Sequence, residues 1–143
     1  MSEDIKKSIE KHPELDVVTV QVSDLKVAEY NPRTLSAKKF EDIKDSIDKF
    51  GFVDPIIVNK HPDRENVIVG GHQRIKVARK VGIETVPAVY VELDIEAEKE
   101  LNVRLNKNQG EWDFSVLKEK FQEEELVDWG FSERELADHW RDI

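Results

Sequence analysis

Val67-Ile68-Val69 is a short β-branched run that stops at Gly70-Gly71, and the next segment has a helical period, with Ile75, Ala78 and Val81 on one face and Gly82 closing it. A strand that passes through two glycines into a helix constrains this chain more than any other feature. Such a junction leaves free backbone N–H groups and the positive end of a helix dipole beside residues that let a ligand approach. Gly70–Lys80 also carries Arg74, Lys76, Arg79 and Lys80 with no acid, the most positive short stretch in the sequence. A bound phosphate belongs there. Arg74 can fork onto it, and His72 and Gln73 can exchange hydrogen bonds with it. The competing reading is a tight turn with a solvated arginine. The stretch lacks the Walker A pattern, the GxGxxG spacing and a GxSxG elbow.

Around this junction the elements alternate. Ser2–Lys11 reads as a short helical arm ended by Pro13. Val17–Val22 reads as a strand, and Pro32 makes Tyr30–Arg33 an irregular loop. Ser36 caps a helix whose Phe40, Ile43, Ile47 and Phe50 share a face and which Gly51 ends. Pro55–Val58 is a strand expected to pair with, or lie close to, Val67–Val69 across the turn residues His61–Asn66. Val86–Val91 reads as another buried strand. Asp94 caps a helix carrying Leu101 and Leu105, Asn106–Gly110 is a polar loop, and Asp113 caps a helix with Val116, Leu117 and Phe121. A capping box, Ser132 with Glu135, and a staple, Phe131 with Leu136, open the last helix. There is no internal repeat or low-complexity run. The pattern predicts an α+β fold, a small mixed sheet with surrounding helices, preceded by an arm at 1–16 and followed by an acidic helical extension at 111–143.

The 143 residues suit one domain. The chain has 22 basic and 31 acidic residues, and the net charge of −9 lies in its last third: residues 1–91 hold 15 of each sign, whereas 92–143 hold 7 basic and 16 acidic. Trp112, Trp129 and Trp140 all lie in that acidic part and are expected to give it a core. Duplex DNA repels such a surface, so DNA contact by this chain alone would rest on a small patch. Zero cysteines exclude disulfides, a thiolate nucleophile and cysteine metal sites. No apolar run reaches the ~18 residues of a membrane span and the N-terminus lacks a signal core, so the expected compartment is the cytoplasm.

Four blocks in order, Asn31-Pro32-Arg33, Ser46 to Val58, Ile68 to Arg74, and Gly82 to Pro87, resemble the ParB/sulfiredoxin superfamily, N-terminal ParB domain type. The tail from Gly110 to Ser132 is similar to ParB-like modules of phages and mobile elements, often beside or fused to DNA methyltransferases. The resemblance covers roughly residues 17–110 and implies one small ParB/sulfiredoxin-like domain there, with a triphosphate site for CTP or ATP with Mg²⁺. Gly71-His72-Gln73-Arg74 then stands where the family has Gly-Glu-Arg-Arg, keeping the glycine and the last arginine. Asn106-Lys107-Asn108-Gln109 is a loose counterpart of the family's Glu-Asn-x-Gln-Arg motif. The implied nucleotide contacts are Arg33, Gly70, Gly71, His72, Gln73, Arg74 and Arg104, with Asn106 and Asn108 at a magnesium ion or, alternatively, as a self-capped polar loop.

His72 replaces both the family's glutamate and the cysteine of sulfiredoxin, which excludes sulfinic-acid reduction. The expected function is a nucleotide-binding regulatory or accessory module that works with a DNA-acting partner or fused domain, such as a methyltransferase: no helix-turn-helix reader is recognised after Gly110, so either the chain is part of a longer protein or a partner supplies the DNA contact. Ligand-dependent homodimerisation is left open. The alternatives are a weak NTPase, a phosphotransferase like the free-serine kinases of the superfamily, and a DNA-binding ParB-like nuclease. An enzyme would draw its base from His72, Asp54, Glu29 or Glu41. No clustered carboxylates mark a nuclease metal site.

Overall fold

The computed structural model describes residues 2–12, 14–31 and 33–140, so the roles expected of Pro13 and Pro32 lie outside it. The strands are β1 (Val18–Gln21), β2 (Ile56–Asn59), β3 (Ile68–Gly70) and β4 (Thr85–Val91), and the helices α1 (Glu3–Lys11), α2 (Ala37–Phe50), α3 (His72–Val81), α4 (Ile95–Lys107), α5 (Phe114–Lys120), α6 (Glu123–Asp128) and α7 (Glu133–Trp140). No helix among the described residues is long and apolar enough to cross a membrane.

The sheet order is β1-β4-β2-β3. β2 and β3 pair, and they run antiparallel, with Ile57 opposite Gly70. α3 then carries the chain back so that β4 pairs parallel to β2, Ile57 opposite Val89, and antiparallel to β1, Val20 opposite Val86. β1 is shorter than the valine run, because Val22 leaves it for a 3₁₀ turn that buries its side chain. The core joins Ile56 and Val58 of β2, Ile68 of β3, Val86 and Ala88 of β4, and Ile75 and Ala78 of α3. Each fully buried Ile or Val side chain here contributes about 1.5–3 kcal/mol over exposure.

Helix boundaries are set by local chemistry. Ser36 Oγ accepts from the Lys39 N–H at 3.1 Å, and Gly51 ends α2 at φ 78°. Asp94 accepts from the Ala97 N–H at 2.9 Å to start α4. Asp113 caps α5, and Ser132 and Glu135 exchange capping bonds at α7. α1 buries none of its residues.

Three expectations of packing are corrected. Phe50, expected on the apolar face of α2, is 65% exposed because the helix ends beside it. The buried face of α4 is Glu98 and Asn102, whereas Leu105 is exposed and Leu101 half-buried. α4 lies against the edge strand β3, whose backbone needs polar partners: Asn102 Nδ2 donates to the Val69 carbonyl at 2.9 Å. The acidic extension packs not on its tryptophans but on Leu117, Leu126 and Leu136 with Phe114, Val127 and Phe131. Trp112 and Trp129 are 62% and 56% exposed, and the packing expected of Trp140 lies outside the described side chains.

Candidate nucleotide-binding site

The strand-glycine-helix junction opens on a cavity of about 430 Å³ between α2, α3 and the end of α4. Gly71 sits at the N-cap of α3 in the left-handed region, φ 99°, and offers no side chain to the first turn of the helix. A Cβ there would lie 2.5 Å from Ile56 Cδ1 and 3.1 Å from Arg74 Nη2, so glycine is required by both backbone and space. The first-turn N–H groups of α3 thus receive no oxygen from the side chain of their own N-cap residue, the condition that suits an anion.

Three cationic side chains line this cavity, Arg33, Lys39 and Arg74, against one carboxylate, Asp54. Arg74 is three-quarters buried; one guanidinium nitrogen donates to the Asp54 carbonyl and another lies 3.7 Å from its carboxylate. Burial lowers the pKa of this arginine and Asp54 partly restores it. Arg33 Nη1 donates to Asn106 Oδ1 at 2.9 Å, and Asn106 Nδ2 donates to the Asn102 carbonyl at 2.8 Å. Since Asn102 is itself fixed to Val69, two asparagines one turn apart on α4 suspend Arg33 from the edge of the sheet. Gln73 donates to the Thr34 carbonyl at 2.8 Å and ties the same loop to α3.

His72 lines the cavity but is 6% exposed, and its Nε2 accepts the Ala28 N–H at 3.1 Å. Burial, helped by the charge of Lys76, pushes its pKa down to about 4, so it is neutral near pH 7. The acceptor nitrogen a general base would use is therefore engaged in holding residue 28.

Arg104 pairs instead with Glu100 at 2.8 Å, away from the cavity lining, and Asn108 is the exposed C-cap of α4. Gly70 stands just outside the lining, against Ile57. Sequence reasoning missed Asn31 and Lys39, which the fold brings to the cavity, and the buried polar network behind it.

That network centres on Glu98, which is fully buried. Arg64 Nε and Nη2 bind its two oxygens at 3.0 and 2.8 Å, Asn59 donates at 2.9 Å and the Tyr30 hydroxyl at 2.6 Å. Burial pushes the Glu98 carboxyl up, but the bonds from Arg64, Tyr30 and Asn59 outweigh it and hold it below the usual range. Burial and the carboxylate raise the pKa of Tyr30 well above that of a free phenol. A signal existed in the sequence: Glu98, Asn102 and Asn106 recur every four residues.

Residues 6–109 match the model of the ParB N-terminal domain. The chain belongs to that family. It is 32% identical over 111 residues to the chromosome-partitioning protein ParB of Caulobacter vibrioides, covering 68% of this chain and 36% of the relative. The chain thus spans about a third of the length of that curated relative. A C-terminally truncated ParB of Caulobacter crescentus complexed with CTP-γ-S superposes with a TM-score of 0.64 at 29% identity, covering 82% of this chain and 72% of that one. The same ParB on its centromeric parS site gives 0.54 at 28% identity, covering 72% and 57%. The mixed sheet with flanking helices is therefore the ParB fold, and the resemblance read in the four sequence blocks holds at the level of this domain.

Proposed function

We propose that this chain is a nucleotide-binding regulatory module of the ParB kind, in which the phosphates of CTP or ATP lie over Gly71–Arg74 and within reach of Arg33 and Lys39. The observation that carries this reading is the first turn of α3: an N-cap without a Cβ, a largely buried arginine and a cavity of about 430 Å³ meet at one point. That volume suits a small organic ligand, and three cations to one carboxylate suit a polyanion. The CTP-γ-S complex of the Caulobacter protein supports CTP as the first ligand to test.

Mg²⁺ fits only as a companion of the nucleotide. No group of three His, Asp or Glu side chains among the described residues could hold a metal alone, and Asn106 is the side-chain oxygen donor of the expected pair that lines the cavity. Because Asn106 Oδ1 accepts from Arg33, a magnesium ion would be carried by phosphate oxygens and water, and would reach Asn106 only once Arg33 leaves it for the phosphates. Within this reading Arg74 orients the phosphates, Arg33 closes over them, and His72 keeps the loop at Ala28 in place without moving a proton. Binding, not turnover, is the task of such a site.

The module works in the cytoplasm with a DNA-acting partner, such as a methyltransferase of a phage or mobile element. The acidic residues of the last third disfavour direct contact with DNA phosphates and favour a protein partner. The test is isothermal titration with CTP, ATP, GTP and UTP, each with and without Mg²⁺. We expect saturable binding of one triphosphate, weakened at least about 30-fold by Arg74→Ala through loss of a charge-assisted contact, with an unchanged circular dichroism spectrum. Unchanged affinity in that variant removes Arg74 from the site, and binding of none of the four overturns the reading.

A further inference from the structure

The junction between α2 and the C-terminal helices leaves aromatic surface uncovered. Trp129 is 56% exposed and Trp112 62%, a high value for a residue that globular proteins usually bury for the most part. Two cavities flank Trp129. One, of about 490 Å³, is walled by Trp112, Phe121 and Phe131 and edged by Asp42, Glu135 and Lys39. The other, of about 460 Å³, is bounded by Phe50, Lys49, Asp42, Asp45 and Asp128. Together they set four carboxylates against two lysines. Asp42 belongs to both, and its place is fixed: at Gly130, φ 119°, a Cβ would fall 2.7 Å from Asp42 Oδ2. Lys38 secures the same contact by donating to the Gly130 carbonyl at 3.3 Å.

Indole surface rimmed by carboxylates is the chemistry that recognises a guanidinium, which stacks on the ring while its N–H groups reach the oxygens. We infer that this surface docks a basic segment of a protein partner, with an arginine side chain entering beside Trp129 and Asp42 and Asp128 as its counter-charges. A second copy of this chain fits less well. Two cations of its own basic stretch already have partners, Arg79 donating to the Leu25 carbonyl at 2.6 Å and Lys80 lying 5.7 Å from the centre of the Phe40 ring. Polyanions are repelled by the same carboxylates.

The inference deepens the partner half of the proposed function and is independent of its nucleotide half. The full chain is titrated with a synthetic Gly-Arg-Gly-Arg-Gly peptide and with its lysine counterpart, reading tryptophan fluorescence and the indole N–H resonances of Trp112 and Trp129. Expected are saturable, salt-sensitive binding that prefers arginine, and about tenfold weaker binding in Trp129→Leu and in Asp128→Asn. Both substitutions are on exposed side chains, and circular dichroism checks that each variant is folded. Absence of saturable binding overturns the inference. Equal affinity in Trp129→Leu overturns it too, because net charge alone would then explain the titration. Self-association of the wild type that both Lys80→Glu and Trp129→Leu abolish would assign the surface to a second copy and overturn the inference. A CTP titration of the same sample reports separately on the nucleotide reading, which fails or stands without moving the peptide result.

Discussion

The sheet domain and the C-terminal helices solve the same packing problem by opposite means. Around the sheet, Ile56, Val58, Ile68 and Ile75 are wholly buried, and even a charged carboxylate, Glu98, is enclosed with every oxygen bonded. Among the described residues no buried side-chain nitrogen or oxygen lacks a partner. The C-terminal helices close on three leucines and turn two tryptophans outward. A β-sheet with a helix on it encloses volume, whereas three short helices enclose little. The first region can therefore hold a site to fixed geometry, and the second is left with apolar surface to offer a partner.

The largest effect expected is on the polar centre of the first region. Glu98→Gln removes the charge and one of the two buried acceptor oxygens, setting an amide N–H₂ against donors of Arg64, Asn59 or Tyr30, and should destabilise the chain by about 3–5 kcal/mol in urea unfolding. A loss under about 1 kcal/mol, the scale of a surface ion pair, would show that Glu29, which already accepts from Arg64 at 2.9 Å, takes over, and the contrast between the regions would weaken. Next in size, Leu136→Ala removes a fully buried member of the leucine cluster and should cost about 3 kcal/mol. Hydrogen exchange should show that loss confined to α5–α7 while the sheet amides keep their protection. A uniform loss would mean that the two regions unfold as one.

The smallest effect is the most diagnostic of the site. Folded His72 takes up its proton only near pH 4, and the unfolded residue near pH 6.5. Between these values the unfolded chain binds more protons, so the His72 contribution is complete above pH 6.5 and is lost as pH falls toward 4. The loss is on the order of 2 kcal/mol by about pH 5. Glu98, whose carboxyl is held low, contributes stability that is lost only below its unfolded value of 4.5. Stability measured from about pH 7 to about pH 5 thus isolates the histidine. His72→Asn, which keeps a side-chain acceptor for Ala28 but does not titrate, should flatten this slope.

The elements with local signals were legible. Ser36, Asp94, Asp113 and Ser132 each cap the helix expected, because capping is decided within three residues. The short helix α6 was missed: its Gln122 and Glu125 capping box lies in an acidic run without apolar period. At the site, Gly71, Gln73 and Arg74 were legible from the strand-glycine-helix junction and Arg33 from its loop. Arg104 was expected beside them but faces Glu100, since the direction of a helical side chain depends on how its helix is rotated against the sheet.

The sequence by itself determined the order of most strands and helices, the glycine junction that lines the candidate cavity, and the separation of charge along the chain. These come from periodicity, capping and turn chemistry, all of which act over a few residues. Only the tertiary structure decided that α4 turns Glu98 and Asn102 inward, that Arg33 hangs from the sheet edge through two asparagines, and that Trp129 faces outward. Each depends on which surface is left over once the sheet has closed its core. A buried carboxylate is stable only where Arg64, Asn59 and Tyr30 converge from distant parts of the chain, and that convergence belongs to the fold.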